Sequence, residues 1–423
     1  MNKSVIAILV LLGLATSPLL AQKKLKSGTK LEKAPTYKSI EDANLAKKKV
    51  YKLNLDGQKL NSIPEDIRKY KNLQELYLRN NNIAFLPDWL FELTNLQILM
   101  LGENNIQAIQ PEIRKLQHLV VLDVFDNKLS ALPGGIGQCK KLTKIDANWN
   151  KIATLTDSIT SLKNLEYIYL ERNEITTIPE NIGNLTKLKE IKLRENKLTS
   201  LPASLGELKF ITELNIEKNQ LTELPAEISN LNSLKTLKIN NNQLKALPDL
   251  SKLLKLEKLD ASNNKITAVK GNAINIAALK QLDLSINHIS ALSFNTDQLT
   301  NLEQLELELN KISNPTALYS ITSLKVLNLG RNNITKITDE IGQLTKLETL
   351  IMNSNKIYSV SKQIGKLNKL VFLDLSNNQI QLLQREIGGM SSLIDLHLEK
   401  NRFSSFQKKN VKKYVPATTK VYF

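Results

Sequence analysis

Cysteine is almost absent from this chain of 423 residues, which contains only Cys139. One cysteine cannot form an intramolecular disulfide, so a fold held together by disulfide bonds is excluded. Cys139 takes an apolar position in the segment Ile136-x-x-Cys139-x-x-Leu142. We therefore expect it to be a small buried hydrophobic side chain.

Histidine is scarce too, and the motifs of common enzymes are missing. The histidines His118, His288 and His397 lie far apart, and no H-E-x-x-H, G-x-S-x-G or P-loop segment is present. Glu306 and Glu308 share one face of a predicted strand but have no partner suited to acid–base catalysis. We expect no enzyme activity, no cofactor and no metal site.

Long apolar runs are also lacking, and no stretch of about 20 apolar residues predicts a membrane span. Residues 1–21 combine Lys3, a short apolar run and Leu19-Leu20-Ala21, a pattern typical of a secretory signal peptide cleaved after Ala21. No cysteine follows this run, which argues against a lipid anchor. We expect an exported protein, periplasmic or extracellular, and the absence of disulfides favours a bacterial one.

Acidic residues are too few to balance the 58 Lys and Arg, and the net charge is +17. Residues 1–50 hold ten Lys and three acids, and residues 401–423 hold six Lys or Arg and no acid. The two ends contribute +7 and +6, which leaves +4 for everything between them. A nucleic-acid interface needs a continuous basic track, so none is predicted. The basic ends favour solubility or weak contact with an anionic surface.

What the chain has in abundance is one phrase, L-x-x-L-x-L-x-x-N-x-L, which recurs sixteen times at intervals of 22 or 23 residues. The opening copy has Gln58 at the asparagine position, and fifteen asparagines follow in phase. They are Asn81, Asn104, Asn127, Asn150, Asn173, Asn196, Asn219, Asn242, Asn264, Asn287, Asn310, Asn332, Asn355, Asn378 and Asn401. A fixed period of this length indicates repeats that stack on one another.

Each repeat has two predicted halves. In Leu76-Tyr77-Leu78 the apolar residues alternate, which predicts a short strand with both leucines facing the core and Tyr77 facing away. The asparagine that follows can bond backbone groups at the buried turn, and a ladder of such side chains is predicted to bind each turn to its neighbour. The second half reads L-P-x-x-I-x-x-L, where proline opposes a paired strand and the spacing predicts a short helical or 3₁₀ turn.

This pattern closely resembles the leucine-rich repeat family over residues 50–403. The form seen in Ile178-Pro179-Glu180-Asn181-Ile182-Gly183-Asn184-Leu185 is similar to bacterial and Ras-group-like 23-residue repeats. The resemblance implies an α/β solenoid shaped as a horseshoe, with a parallel sheet on the concave side and short helical or 3₁₀ segments on the convex side. It also implies a scaffold that binds proteins.

The chain is predicted to contain one solenoid with a cap at each end. We assign residues 1–21 to the signal peptide, 22–49 to a basic linker and N-terminal cap, 50–403 to sixteen repeats, and 404–423 to a C-terminal cap. Helices are predicted over residues 39–46 and 404–414, and a strand over residues 419–423.

The second half of the repeat loses its L-P-x-x-I pattern between about residues 245 and 324. One interpretation is drift of exposed loops, which tolerate change. The other is a local change in curvature that forms a second contact site.

Large apolar and aromatic residues cluster at outward-facing strand positions of five consecutive repeats, whereas the other repeats contribute only one aromatic residue at equivalent positions, Phe372. The predicted partner-binding residues are Tyr77, Ile98, Met100, Val121, Asp123, Phe125, Asp146, Trp149, Tyr167 and Tyr169. One row across the strands is predicted to hold Tyr77, Met100, Asp123, Asp146 and Tyr169, and Asp123, Asp126 and Asp146 to form an acidic edge.

An exposed apolar patch usually marks a binding surface, and aromatic anchors dominate interface energies. The alternative is that these side chains pack on one another and protect the sheet. Phe85, Trp89 and Phe91 belong to the convex side, where they could extend the surface or pack beneath the cap.

Three functional hypotheses follow. The first is an exported module that binds a protein or peptide on the concave face of repeats two to six. The second is a structural or adhesion protein of the cell envelope, attached through its basic ends. The third is an intracellular Ras-group-like signalling scaffold, which requires that residues 1–21 are not a signal peptide.

Overall fold

The computed structural model describes residue 25 and residues 29–46, 49–271, 273–274, 276–294 and 296–423. The signal peptide predicted for residues 1–21 lies outside these residues. The chain divides into two compact units: unit 1 is Met1–Tyr169 and unit 2 is Leu170–Phe423. Among the described residues, no helix is both long enough and apolar enough to cross a bilayer.

Unit 1 is a stack of repeats in which every strand pairs in parallel with the next one along the chain. The strands are β1 (Thr36–Tyr37), β2 (Lys52–Asn54), β3 (Glu75–Tyr77), β4 (Ile98–Met100), β5 (Val121–Asp123), β6 (Lys144–Asp146) and β7 (Tyr167–Tyr169). The 3₁₀ turns are Glu65–Lys69, Asp88–Glu92, Pro111–Lys115, Gly134–Gln138 and Asp157–Ser161, and the helices are α1 (Thr29–Glu32) and α2 (Ile40–Ala46).

Unit 2 repeats the same plan. Its main parallel sheet contains β8 (Glu190–Lys192), β9 (Glu213–Asn215), β10 (Thr236–Lys238), β11 (Lys258–Asp260), β13 (Gln281–Asp283), β15 (Gln304–Glu306), β16 (Val326–Asn328), β18 (Thr349–Ile351), β20 (Phe372–Asp374), β21 (Asp395–His397) and β22 (Lys420–Tyr422). Its 3₁₀ turns are Ile182–Asn184, Ala203–Glu207, Ala226–Asn230, Thr296–Gln298, Thr316–Ser320, Asp339–Gln343, Lys362–Lys366 and Arg385–Gly389, and its helix is α3 (Ser405–Tyr414).

The two predicted halves of the repeat are confirmed. In the repeat around β3, Leu76 and Leu78 are fully buried while Tyr77 is half-buried on the opposite side of the sheet. In the next 3₁₀ segment the outer half begins at Pro87, whose extended backbone (φ −73°, ψ 147°) leads into a 3₁₀ turn rather than a strand. Leu90 of that turn is fully buried, so both halves contribute to one apolar core.

The phased asparagines bind neighbouring repeats together, as predicted. The side-chain amide of Asn127 donates to the carbonyl oxygen of Leu101 in the preceding repeat at 3.0 Å, and its Oδ1 accepts from the N–H of Ile106 at 2.9 Å. It also donates to the carbonyls of Val124 and Phe125 in its own turn. These bonds satisfy backbone groups that the apolar core cannot.

The residue before each phased asparagine adopts a left-handed backbone conformation, which the sequence did not predict. Positive φ values between 49° and 56° recur at this position in the repeats, including Asp126 and Trp149. Side chains other than glycine and asparagine rarely adopt this conformation, because Cβ approaches the carbonyl oxygen. Since the repeats share it, the turn geometry imposes it regardless of residue type.

The irregular region of unit 2 differs from the other repeats in the secondary structure of its outer half. Two short strands, β12 (Ala268–Gly271) and β14 (Ala291–Phe294), pair in parallel in the segment that precedes the 3₁₀ turn in other repeats, and β14 is itself followed by the turn Thr296–Gln298. A similar pair, β17 (Lys336–Ile337) and β19 (Ser359–Val360), forms further along. None of these four strands contains a proline, which would oppose an extended, paired backbone.

The helices and the strand predicted near the chain ends are confirmed. Ser39 Oγ accepts from the N–H of Asp42 at the start of α2, and Ala43 of this helix is fully buried. Ser404 Oγ accepts from the N–H of Gln407 at the start of α3, whose Val411 is fully buried. The final strand β22 pairs with β21.

Candidate functional site

The outward-facing residues of β3–β7 form two rows across unit 1, and we call this side its sheet face. One row runs through Tyr77, Met100, Asp123, Asp146 and Tyr169, as predicted. The other runs through Glu75, Ile98, Val121, Lys144 and Tyr167. Parallel strands lie about 4.8 Å apart, so neighbours in a row can touch.

Several residues predicted to be exposed are buried. Ile98 and Met100 keep 3% of their surface accessible and Val121 keeps 8%, and they pack into one cluster with Tyr77 and Val120. The prediction of an exposed patch is wrong for these three side chains, because each is covered by its neighbours across the strands. This part of the sheet face fits the alternative that the side chains pack on one another.

The predicted acidic edge is wrong for two of its three members. Asp123 and Asp146 are 1% and 7% accessible, and only Asp126 is exposed. Asp123 Oδ1 accepts from the N–H of Phe125 at 2.9 Å, and its Oδ2 forms an ion pair with Arg79. The carboxylate of Asp123 is therefore used in contacts within the protein and is not available on the surface of the sheet face.

Gly102 makes room for the contact between Arg79 and Asp123. A Cβ at Gly102 would lie 3.2 and 3.3 Å from the two carboxylate oxygens of Asp123. A side chain there would crowd the carboxylate that the guanidinium binds. The glycine therefore permits an arginine to reach a carboxylate two repeats further along.

Asp146 pairs in register with Asp123, and two carboxylates at neighbouring positions disfavour each other's charge. Burial and then the charge of Asp123 raise the pKa of Asp146 to about 6, opposed by the N–H of Asn148 and by Lys144 and Arg79. The protonation state of Asp146 therefore changes in the mildly acidic range.

The accessible part of the sheet face is aromatic. Phe125 and Trp149 meet edge to face with ring centroids 6.4 Å apart, and Tyr167 and Tyr169 do so at 6.5 Å. Lys144 Nζ lies 4.8 Å from the centre of the Tyr169 ring. Trp149 is 45% exposed and the other three are half-buried. We call Phe125, Trp149, Tyr167 and Tyr169 the aromatic patch.

Tyr77 lies at the other end of its row in a polar setting. Its hydroxyl donates to Glu75 Oε2 at 2.9 Å, and Lys52 Nζ lies 3.6 Å from Glu75 Oε1. Burial, followed by the charge of Glu75, raises the pKa of Tyr77 well above its usual value. Tyr77 therefore belongs to a polar cluster with Glu75 and Lys52, and it also packs against the buried apolar residues.

The outer aromatic residues divide between core and surface. Phe91 is fully buried, whereas Phe85 is 75% exposed. Trp89 is half-buried and lines a cleft of about 600 Å³ together with charged residues such as Lys71 and Glu112. Phe91 is thus part of the core, and Phe85 and Trp89 lie on the outer turns.

No three His, Cys, Asp or Glu side chains within the described residues are arranged to hold a metal ion. Cys139 is buried with its Sγ 3.3 Å from the carbonyl of Ile113, and burial raises its thiol pKa to about 12. His118 Nδ1 lies 2.8 Å from Lys141 Nζ.

Two features of unit 2 were not identified from the sequence. His397 stacks on Tyr422 with ring centroids 4.4 Å apart, and Phe372 lies 5.4 Å from His397. The spacing of the last strand relative to the repeats contains this signal, because β22 pairs with β21 in parallel and places Tyr422 opposite His397. A shallow cleft of about 300 Å³ on the main sheet is lined by residues of β10, β11, β13 and β15, including Lys238 and Asp283.

Comparison with known proteins agrees with this architecture. The family profile described as "Leucine rich repeat" matches residues 48–106 and 94–152, "Leucine Rich repeats (2 copies)" matches residues 232–275, and "Leucine Rich Repeat" matches residues 164–185, 323–344 and 369–390. No curated protein sequence matches the chain.

Among solved structures, a leucine-rich repeat protein of Leptospira interrogans is 33% identical, over 92% of this chain and 100% of that one, with a TM-score of 0.77. The plant peptide hormone receptor RGFR1, solved in complex with RGF2, is 28% identical over 88% of this chain and 66% of its own, with a TM-score of 0.70. An internalin (InlF) of Listeria monocytogenes is 23% identical over 86% of this chain and 90% of its own, with a TM-score of 0.51, and shares the fold alone.

The repeated strand, asparagine turn and 3₁₀ segment are thus accompanied by substantial identity over the full length of a protein with the same repeats. The chain belongs to the leucine-rich repeat family.

Proposed function

We propose that this protein is an exported, non-enzymatic recognition scaffold that binds a protein or peptide on the sheet face of unit 1. The observation that carries the proposal is the aromatic patch, in which four rings from three consecutive repeats lie together with solvent access. Tyrosine and tryptophan are enriched among the residues that dominate protein interfaces.

The patch is held in place before any partner arrives. Phe125 and Trp149 support each other, as do Tyr167 and Tyr169, and Lys144 lies over the Tyr169 ring. Side chains that are already ordered lose less conformational entropy on binding. A partner that presents apolar side chains therefore gains most of the burial energy of the rings.

The buried neighbours have a supporting role in this proposal. Ile98, Met100 and Val121 pack together, and Asp123 binds Arg79. They stabilise the face on which the rings stand, so direct contact with the partner falls to the aromatic patch, with Tyr77 at the margin.

Similarity to RGFR1 supports a peptide as one class of partner, since that receptor was solved in complex with RGF2. Leucine-rich repeats present parallel strands at regular spacing, so a bound chain can contact several repeats at once. The chemistry of the patch favours a segment rich in apolar side chains.

A pull-down from the envelope and culture fluid of the source organism tests the proposal. The full chain is compared with Trp149→Ala/Tyr167→Ala/Tyr169→Ala, and Phe85→Ala serves as the control because Phe85 is 75% exposed on the outer turns. We expect a protein that the wild type and the control retain and the triple variant loses. Each single substitution should cost about 2 kcal/mol of binding free energy.

Equal recovery by the triple variant, with unchanged thermal unfolding, would rule out the aromatic patch as the binding surface. Export is tested separately by sequencing the N-terminus of the native protein. A mature chain that begins at Gln22 supports export and eliminates the intracellular signalling scaffold, whereas retention of residues 1–21 would favour that scaffold.

A further inference from the structure

The C-terminal segment of unit 2 concentrates positive charge on one helix. Residues 401–423 contain six Lys or Arg and no acid. Four of these lysines lie on α3, whose inner side is fixed by the fully buried Val411. The helix therefore presents its basic side chains outward.

One side of α3 combines an aromatic residue with two lysines. Phe406, Lys409 and Lys413 are spaced three and seven residues apart, so they share one helix face. Phe406 is 69% exposed, and both lysines are exposed. By contrast, Phe403 is buried, and its ring centroid lies 5.8 Å from that of Phe423. Phe406 therefore stays in solvent although a nearby phenylalanine is packed into the protein.

The other two lysines of α3 are held close together by an aromatic ring. Lys408 Nζ lies 5.1 Å and Lys412 Nζ 5.9 Å from the centre of the Phe423 ring. Contacts of this kind stabilise an ammonium without neutralising it. Two like charges thus remain near each other beside the exposed face.

Two acids of the adjoining repeats, Glu386 and Glu399, already have partners. Glu386 lies 3.8 Å from Arg385 in the 3₁₀ turn next to α3, and Glu399 lies 3.0 Å from His397. The positive charge of α3 is therefore not balanced by these acids, and it attracts an anionic partner.

We propose that α3 docks this protein onto an anionic lipid surface. Phe406 enters the boundary between headgroups and acyl chains, while Lys409 and Lys413 contact lipid phosphates, and Lys408 and Lys412 add long-range attraction. A polybasic segment gains free energy for each lysine near such a surface, and an aromatic side chain gains by leaving water. An acidic polymer would bind the lysines but would offer Phe406 no apolar phase, so the exposed ring favours lipid.

Binding of the full chain to vesicles tests the proposal. Phosphatidylglycerol–phosphatidylcholine vesicles are compared with pure phosphatidylcholine, and all variants keep the same N-terminal region. We expect Lys409→Ala/Lys413→Ala to lower the partition coefficient about 30-fold and Phe406→Ala to lower it about 10-fold. The matched controls Lys346→Ala/Lys369→Ala and Phe210→Ala, which alter exposed residues elsewhere in unit 2, should bind like the wild type.

Insertion of the ring is measured directly with Phe406→Trp. Brominated lipids should quench the added fluorescence, and they should not do so for Phe210→Trp, whose position is 60% exposed. Absence of quenching at position 406, or equal vesicle binding by all variants, would overturn the proposal.

The alternative to a lipid surface is that α3 binds an acidic polymer. If polyglutamate binds the wild type and Phe406→Ala equally and vesicles do not distinguish these two proteins, α3 is a polymer site and the lipid proposal is wrong. The triple variant of the aromatic patch should bind vesicles like the wild type, so failure of the two proposals can be told apart.

Discussion

Arg79 and Asp123 form an ion pair although 44 positions separate them in the chain. Arg79 follows β3 and Asp123 ends β5, so the arginine reaches past a whole repeat. The intervening repeat has Gly102 near the carboxylate oxygens. This pair joins alternate repeats, in addition to the asparagine bonds between adjacent ones.

Removal of the arginine should destabilise unit 1. Arg79→Ala leaves a carboxylate that is 2% accessible without its guanidinium partner, and the free energy of unfolding should fall by about 2 kcal/mol. Urea denaturation followed by circular dichroism measures this change. Arg172→Ala, which loses a more exposed pair with Glu195, is the control and should cost less than about 1 kcal/mol. Equal losses for both variants would contradict a structural role for the Arg79–Asp123 pair.

Gly102→Ala should weaken the ion pair between Arg79 and Asp123 by crowding the Asp123 carboxylate. The new Cβ would lie 3.2 to 3.3 Å from Asp123 oxygens and from the carbonyl oxygen of Phe125. We expect a loss of about 1 kcal/mol in the free energy of unfolding, because a well-packed site must shift to admit the methyl group. If Gly102→Ala is destabilising in the wild type but neutral in the Asp123→Ala background, the loss arises at the carboxylate.

The raised pKa of Asp146 predicts a specific pH dependence of stability. Its folded pKa of about 6 lies above the ordinary aspartate pKa of 3.8. The folded state therefore binds more protons between these values, and the free energy of unfolding should fall as pH rises from about 4 to about 6. Above that range the cost of charging Asp146 in the folded state is about 3 kcal/mol.

Asp146→Asn isolates this contribution, since other groups titrate in both proteins. The difference in stability between the wild type and the variant should change between pH 4 and pH 7 by about 2 kcal/mol in favour of the variant. A pH-independent difference would show that the folded protein does not raise the pKa of Asp146.

Trp149 should tolerate glycine better than alanine. Its backbone has φ 56°, a conformation that glycine adopts without strain. Both substitutions lose the contact with Phe125, but only glycine relieves the backbone, so Trp149→Gly should be more stable than Trp149→Ala by about 1 kcal/mol. Thermal unfolding compares them. The reverse order would indicate that the turn relaxes away from the left-handed conformation.

An asparagine of the buried series should be difficult to replace. Asn127→Leu removes four hydrogen bonds and leaves the N–H of Ile106 and the carbonyl of Leu101 in the core without this partner. The expected loss is about 3 kcal/mol or more in the free energy of unfolding. Asn95→Ala, which removes an exposed bond to the carbonyl of Lys71, should cost less than about 1 kcal/mol.

The order of residues was sufficient to predict the repeated structure. The period of 22 or 23 residues, the alternation at Leu76 and Leu78 and the phased asparagines together specify strand, turn and register. These features depend on local geometry and on contacts between equivalent positions, so they can be counted along the chain. The row from Tyr77 to Tyr169 was predicted for the same reason.

Only the tertiary structure determines which side chains of the sheet face are accessible to solvent, because side chains from several repeats cover one another. Ile98 and Tyr167 occupy equivalent positions in the same row, yet Ile98 is buried and Tyr167 is half-exposed. Burial depends on the size and direction of neighbouring side chains, and a period specifies neither. The pairing of Arg79 with Asp123 likewise requires both the length of arginine and the space at Gly102. Repetition of the sequence thus accounts for the scaffold, whereas packing in three dimensions determines which side chains on its surface stay accessible to solvent.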